Sequence, residues 1–416
     1  MQIHQFVLRF DKNHYNYSEN LFIMGGTSMY TIYLTTECNF RCAYCYEDYK
    51  EHQTISKDQI LQIINRIFER DQNQNISINF MGGEPLLKID ILVDAVNYIK
   101  KQFPERTVRY HITTNCSLVD DRIIEFFKRN NFQLRLSFDG LREAHDLNRI
   151  CKNGQSCYDT IFTNICKVRD SGVPYSVRMT IPANTIPLMY QNVMFLHQND
   201  INSINLIMDV NLNFTEELLS VFKEQMTKIK DLYIEEYDKG QKMTIDQFDG
   251  KFSNILCSFK NCFGMCDAGI TNLKIMPNGD IYPCGFVTNN KKFRLCNITE
   301  PLNISYTKRV ISAQFNPNNT KCRDCQIASF CLGMKCGFMN YIRSGYINVP
   351  SDAECQEEHI FYPLVVEIIE HFKSQNSKKL KQTLGNLMQY IHFQNLKLSP
   401  LGQEIDSKMN KEMMDA

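Results

Sequence analysis

A chain of 416 residues, 43% hydrophobic and 22% charged, is too long for one compact core and reads as two or three packed units of a soluble protein. Its 46 basic and 46 acidic residues cancel, and no long Lys/Arg run occurs, which argues against a nucleic-acid or acidic-membrane partner. No apolar run is long enough to span a bilayer, and MQIHQFVLRFDKNHYNYSEN lacks a basic segment followed by an apolar one, so a cytoplasmic location is expected.

In chain order, IHQFVLRF and NLFIMGG read as a strand pair within residues 1–29, which would cover a sheet edge or add a substrate strand. Six β-branched or apolar runs follow: MYTIYLTT, NISINFMG, VRYHITTN, FQLRLSFDG, YSVRMTI and SINLIM. Between them lie stretches with helical spacing, such as DQILQIINRIFER, with Ile60, Ile63, Ile64 and Ile67 on one face, and DILVDAVNYIKKQF. Strands alternating with helices predict βα units and a parallel sheet. The fold class is α/β, with a partial (β/α)6 TIM-like barrel over residues 30–210 whose chemistry lies at the C-terminal strand ends. Residues 211–256 read as a helical bridge and 257–356 as a small cysteine-rich domain in which KIMPNGDIYP forms a β-hairpin turning at Asn-Gly. Residues 357–416 form a helical extension, with amphipathic VVEIIEHFK and LGNLMQYIHF and a frayed EIDSKMNKEMMDA.

Cysteine is the outlier. Seventeen of them without an export signal point to metal or redox chemistry and away from disulfides. Cys38, Cys42 and Cys45 stand at C-x3-C-x2-C in TECNFRCAYCYED. Eight more with ligand-like spacing run from Cys262 to Cys355. The other six (Cys116, Cys151, Cys157, Cys166, Cys257 and Cys296) lack such spacing and read as reduced free thiols.

The remaining motifs fall at strand ends: MGGEP (Met81–Pro85), TTN (Thr113–Asn115) and SFDG (Ser137–Gly140). Gly82 and Gly83 leave backbone open to close approach, and Pro85 suits the first turn of a helix. Ser137 and Asp139 can bond hydroxyls, and Arg149 and Arg178 can fork a carboxylate or simply lie at the surface. His145 and Asp146 read as a solvated turn.

Three thiolates pose a problem for zinc, whose structural sites close with four ligands. A [4Fe–4S] cubane capped by three cysteines instead keeps one iron open. C-x3-C-x2-C with Tyr44 before its third cysteine, on the loop after the first barrel strand, resembles the radical S-adenosylmethionine (SAM) enzymes. The resemblance implies that the open iron binds SAM and that electron transfer, from a donor such as flavodoxin or ferredoxin, releases a 5′-deoxyadenosyl radical under anaerobic conditions. It also implies SAM contacts at Tyr44, Gly82, Gly83, Glu84, Asn115, Ser137, Asp139, Arg149 and Arg178.

From Cys262 onward, CFGMCDAGITNLKIMPNGDIYPC and CRDCQIASFCLGMKC followed by Cys355 resemble the SPASM domain of these enzymes. One departure is visible: four residues separate Cys331 from Cys336 where the family has three. The pattern implies two auxiliary [4Fe–4S] clusters, three clusters in all. Cys262, Cys266, Cys284 and Cys336 would hold the first, with Cys257 competing for the place of Cys262. Cys322, Cys325, Cys331 and Cys355 would hold the second, and zinc ribbons are the alternative reading of these pairs.

Such proteins act on peptides and proteins. Sulfatase maturases, which make formylglycine, carry an aspartate base after the cysteine matching Cys284. Gly285 stands there in this chain, and a base needs a titratable group in reach of its proton. The expected activity is therefore maturation of a ribosomally made precursor peptide, forming a thioether or carbon crosslink or an epimer, with a separate leader-binding protein among the partners considered. Sulfatase maturation and a degenerate Fe–S electron carrier or peptide scaffold are the alternatives. No acid–base pair is assigned, because hydrogen-atom abstraction requires none.

Overall fold

Alternation of apolar and polar residues gives each of the six runs one face that must be covered before the strand is stable. The computed structural model describes residues 28–47, 52–256, 267–328, 330–331, 336–375, 379–380, 383 and 398–414, and there helices supply the cover. The strands are β1 (Ser28–Thr35), β2 (Phe40–Cys42), β3 (Asn75–Gly82), β4 (Thr107–Thr114), β5 (Gln133–Ser137), β6 (Arg149–Cys151), β7 (Tyr175–Ile181), β8 (Ser203–Met208), β9 (Thr244–Ile245), β10 (Asn272–Ile275), β11 (Asp280–Tyr282) and β12 (Cys296–Asn297). The helices that matter are α1 (Lys57–Arg70), α2 (Ile89–Gln102), α3 (Asp121–Arg129), α4 (Arg142–Asn148), α5 (Tyr158–Ser171), α6 (Met189–Gln198), α7 (Glu216–Asp238), α8 (Asp246–Leu256), α9 (Ile304–Ser312), α10 (Gly337–Ser344) and α11 (Asp352–Ser374). Among the described residues no helix is long and apolar enough to cross a membrane.

One sheet runs in the order β12-β11-β10-β1-β3-β4-β5-β7-β8-β9, and β2 pairs with β6 outside it. From β1 to β8 every neighbouring pair is parallel, with helices in each crossover, so the expected six-stranded partial barrel is observed. Ile32, Ile78, Phe80, Leu134, Leu136 and Val177 face the helices and are buried. Helix α1 starts at a capping box between Ser56 and Gln59 and turns Ile60, Ile63, Ile64 and Ile67 into this core. The opposite face, on the inside of the curve, carries Thr31, Asn79, His111, Arg135, Arg178 and Asn205. Strand register places these residues side by side or one pleat apart.

The expected hairpin is β10–β11, turning where Gly279 takes φ +83°, a conformation glycine adopts without strain. Its attachment is not apparent from the sequence. Strand β10 pairs in parallel with β1, from Met29↔Asn272 to Ile32↔Ile275, so the cysteine-rich segment extends the barrel sheet itself.

Two expectations are corrected. The segment EIDSKMNKEMM is not frayed but belongs to a helix, Pro400–Met414. That helix is anchored by the Ser399 N–H donating to the Leu256 carbonyl at 2.9 Å and by a 2.8 Å Lys373–Glu404 ion pair. Cys151 and Cys157 are joined in a disulfide, because the turn between β6 and α5 brings their Cα atoms to 6.6 Å, within bridging range. Cys116, Cys166 and Cys296 are free thiols, as expected. VVEIIEHFK lies in α11 and buries Val365, Ile368, Ile369 and Phe372. The proposed N-terminal strand pair, Cys257 and LGNLMQYIHF lie outside the described residues.

Candidate active site

The loop after β1 carries Cys38, Cys42 and Cys45 and is fixed from two sides. On one side β2 pairs antiparallel with β6, placing Cys42 opposite Arg149, and the Ala43 N–H donates to the Asn148 carbonyl at 2.8 Å. On the other, Gly83 and Glu84 donate their N–H groups to the carbonyls of Thr35 and Glu37 at 2.9 and 2.8 Å. A Cβ on Gly82 would fall 2.2 Å from the Thr35 oxygen, and one on Gly83 2.3 Å from that of Glu37. The glycine pair is therefore required by the approach of the cysteine loop itself. An incoming ammonium group, itself a donor, would be received here by carbonyl oxygens.

Glu84 is buried and acts as a strut between strand ends. Its carboxylate accepts from Leu86 N–H at 3.0 Å, the Thr114 hydroxyl at 2.7 Å and Asn115 N–H at 2.7 Å. Burial raises its pKa to about 7 even so. Asn115 donates to Asn39 at 2.8 Å and approaches the Cys38 sulfur at 4.0 Å, while the Phe40 N–H donates to that sulfur at 3.3 Å.

Asp139 is also internal. Arg149 forks it through Nε and Nη2, each at 3.0 Å, Thr180 N–H donates at 3.0 Å, and the Tyr44 hydroxyl donates to Oδ2. The guanidinium also lies 5.3 Å from the centre of the Tyr44 ring, a cation–π distance. Both ions are nearly inaccessible. The residues expected to reach SAM here thus hold one another, and the fork of Arg149 is filled by Asp139. Ser137 and Arg178 are neighbours across β5 and β7, half-buried on the inner face. His145 overturns the solvated-turn expectation: it is fully buried, its Nδ1 accepts from the Asp139 N–H at 3.4 Å, and burial with the Arg149 and Arg142 charges lowers its pKa to about 3. Asp146 accepts from the Ser156 hydroxyl at 2.8 Å.

The donor set suits an iron–sulfur cluster. Burial, together with the Glu84 and neighbouring thiolate charges, pushes the Cys38 thiol up to about 12 despite the Phe40 hydrogen bond. Partial burial likewise raises Cys42, and loss of hydration takes Cys45, the most open of the three, to about 11. Three crowded thiols of this kind become thiolates only beside a strong cation. Among the described residues no group of three or more His, Cys, Asp or Glu closes on a point fit for a single ion, and cysteines that each cap a different iron need not do so.

In the second cysteine region, Cys322, Cys325, Cys331 and Cys355 line one small cavity together with Lys321 and His359. Cys325 lies 4.0 Å from the His359 Nε2. Cys355 sits in the first turn of α11, which opens on a Ser351–Glu354 capping box. Cys284 packs on a separate small core of Tyr33, Met276, Tyr282, Val287, Phe293 and Phe338, and Cys336 immediately precedes α10, which supplies Phe338. Cys262 and Cys266 lie outside the described residues, as do residues 332–335 between Cys331 and Cys336.

Sequence reasoning missed the bridge between the two cysteine regions. Tyr46, just after Cys45, packs its ring 4.8 Å from that of Phe286, and the Tyr33 hydroxyl donates to Glu47 at 3.0 Å. The aromatic residues on either side of Cys45 and Cys284 were the available signal.

Comparisons with known proteins agree with this geometry. Residues 32–186 match the Radical SAM superfamily. The cysteine-type anaerobic sulfatase-maturating enzyme of Clostridium novyi (strain NT) is 27% identical over 331 residues, covering 74% of this chain and 87% of that enzyme. The solved structure of anSMEcpe with bound AdoMet and Cp18Cys peptide superposes with a TM-score of 0.69 at 19% identity, covering 82% of this chain and 98% of that one. Streptococcus suis SuiB bound to its precursor peptide SuiA gives a TM-score of 0.57 at 16% identity, covering 79% and 76%. The three-cysteine loop at the mouth of the six-stranded parallel barrel thus falls within the stretch that matches the Radical SAM superfamily, in a chain similar along most of its length to the cysteine-type anaerobic sulfatase-maturating enzyme of Clostridium novyi.

Proposed function

We propose that this enzyme reductively cleaves SAM and uses the resulting radical to modify a ribosomally made peptide, forming a thioether or carbon crosslink or an epimer. The observation that carries this reading is the meeting, at one end of the barrel, of the three-cysteine loop, the Gly82–Gly83 approach and the Ser137–Arg178 pair, with the cysteine-rich hairpin joined to the same sheet through β10. A cluster held by Cys38, Cys42 and Cys45 would supply the electron for SAM cleavage. The chain's own part is positional: carbonyl oxygens near Gly82 and Gly83 receive the SAM ammonium, and Arg178, whose guanidinium has no carboxylate partner among the described residues, receives its carboxylate beside Ser137. Tyr44, Asp139, Arg149, Glu84 and Asn115 keep the loop and strand ends in place.

Residues 257–356 are assigned to a SPASM domain holding two auxiliary clusters, one on Cys262, Cys266, Cys284 and Cys336 and the other on Cys322, Cys325, Cys331 and Cys355. The cavity shared by the last four supports that set. A peptide substrate accords with the peptide-bound anSMEcpe and SuiB structures. An external electron donor and a leader-binding protein complete the proposed partners. The test is anaerobic incubation of reconstituted protein with SAM, dithionite and short precursor peptides encoded beside its gene. Formation of 5′-deoxyadenosine with loss of a hydrogen pair from one peptide, or with deuterium uptake from heavy water, is expected. No 5′-deoxyadenosine under any condition would refute the proposal.

Sulfatase maturation has one observation in its favour besides the kinship. Although no carboxylate follows Cys284, Glu47 is held by the Tyr33 hydroxyl, and that hydroxyl would lie 3.0 Å from a Cβ placed on Gly285. A carboxylate therefore stands close to the cysteine-rich hairpin, where a base would be needed. Formylglycine in a sulfatase-derived cysteine peptide, read with an aldehyde-reactive probe, would select this reading.

A further inference from the structure

The chain as a whole is neutral, but the inner face of its barrel is not. Eight of the ten sheet strands, β10, β1, β3, β4, β5, β7, β8 and β9, contain no Asp or Glu, whereas they carry Arg109, Arg135, Arg178 and Lys274; the hairpin strand β11 holds Asp280. Alternation along each strand puts these cations on one face. Leu134 and Leu136 point into the helix-covered core, so Arg135 between them points inward. By register Thr113 and Ser176 flank Arg135 on either side, and Lys274 stands beside Thr31. Lys274 is engaged, donating to Thr31 at 3.0 Å and Asn272 at 2.7 Å. Arg109, Arg135 and Arg178 have no salt bridge and no side-chain hydrogen bond among the described residues.

Arg135 is exposed to the space enclosed by the sheet. Loss of hydration and the Arg178 charge both lower its pKa, yet a guanidinium remains charged in a protein. The carboxylate that acts on Arg135 is Asp246, at the start of α8, which is also held by Asn205. Tyr46, from the cysteine loop, contributes a second favourable influence on Arg135, so the cysteine loop and the inner-face arginines border the same space. Arg135 lies two residues before Ser137 along β5, about 7 Å deeper in the barrel. Arg135 is exposed on this inner face, and a cation open to the space inside the sheet draws an incoming anion towards it.

On the reading that this enzyme modifies a peptide, we propose that Arg135 receives a carboxylate of that peptide, with Arg109 on the neighbouring strand adding positive charge to the same face. The hydroxyls of Thr113 and Ser176 flank the fork, and Arg178, one pleat nearer the cysteine loop, stays with the SAM carboxylate. The substrate class is thus a peptide presenting a carboxylate, from an Asp or Glu side chain or from its own C-terminus.

The test is a capture experiment on the full, anaerobically reconstituted chain with saturating SAM. A randomised nonapeptide pool is offered in two forms, free C-terminal acid and C-terminal amide, and the retained peptides are sequenced. Enrichment of Asp and Glu over Asn and Gln by at least tenfold at one position, in both pools, identifies a side-chain carboxylate. Retention confined to the acid pool identifies the C-terminus. In either case Arg135→Gln should abolish the preference and Arg135→Lys should keep part of it, with melting curves checking that both variants fold. Equal retention of acidic and amide residues in both pools would overturn the proposal. So would a preference that survives Arg135→Gln, or loss of SAM affinity alone in that variant. Because capture reads binding, it gives an answer even if the protein makes no 5′-deoxyadenosine, an outcome that would count against the proposed reaction instead.

Discussion

Charged side chains in two neighbouring zones of this barrel are treated oppositely. Around the cysteine loop, Asp139 takes the Arg149 fork, the Thr180 N–H and the Tyr44 hydroxyl, and Glu84 takes three donors. On the inner face a few residues away, Arg109, Arg135 and Arg178 form no ion pair among the described residues, and Asp246 acts on Arg135 only at longer range. A buried charge with every hydrogen-bonding site filled is part of the framework. A group of like charges left unmatched raises the free energy of the empty protein and is relieved by an anionic ligand. The first zone fixes where three thiols stand, and the second determines what can approach them.

The contrast is most severely tested at Asp139. Asp139→Ala leaves the Arg149 guanidinium buried without a partner, so stability should fall by about 3–5 kcal/mol, with loss of iron from the Cys38–Cys45 loop. Urea unfolding and iron analysis check both. A variant as stable as the parent would show that the pair is ornamental.

Glu84→Gln should cost less, about 1–3 kcal/mol near pH 6, because an amide cannot accept from all three donors. Its pH dependence has a definite sign. The folded-state pKa of about 7 lies above the ordinary 4.5, so between those values the folded chain keeps a proton that the unfolded chain has released. That contribution is complete below the ordinary value and is lost as pH rises through about 7. The stability gap between parent and Glu84→Gln should therefore narrow from about pH 5 to about pH 8. A gap that widens would mean that the three donors outweigh burial.

On the inner face the expected stability change is the smallest and can be of opposite sign. Arg135→Gln and Arg109→Gln should alter unfolding free energy by no more than about 0.5 kcal/mol, or raise it slightly by relieving repulsion. A loss comparable to that of Asp139→Ala would make these arginines structural and erase the contrast.

The barrel was legible in the sequence because its signals are local. Short β-branched or apolar runs marked six strands, helical spacing marked Ile60, Ile63, Ile64 and Ile67, and Asn278–Gly279 marked a hairpin turn. What was not legible depends on residues distant in the chain. The pairing of β10 with β1 joins Met29 to Asn272, and no local pattern encodes it. Asp139 and Arg149 were each read as ligand contacts because only the folded chain shows that they meet, and His145 looked solvated because HDLNR is polar in isolation. The Cys151–Cys157 bridge, six residues across, is local, but the turn that brings the two Cα atoms together carries no spacing signal that distinguishes it from a pair of free thiols. The arginine between two leucines in QLRLS, by contrast, was available to a reading of alternation and was passed over.

The measurement that tests the account most directly is the iron, sulfide and zinc content of protein purified and reconstituted without oxygen. Three cysteine-bound cubanes predict about twelve irons per chain with matching sulfide and negligible zinc. About four irons would confine the chemistry to the Cys38–Cys45 loop and contradict the auxiliary assignments, and zinc without iron would contradict the proposed reaction altogether.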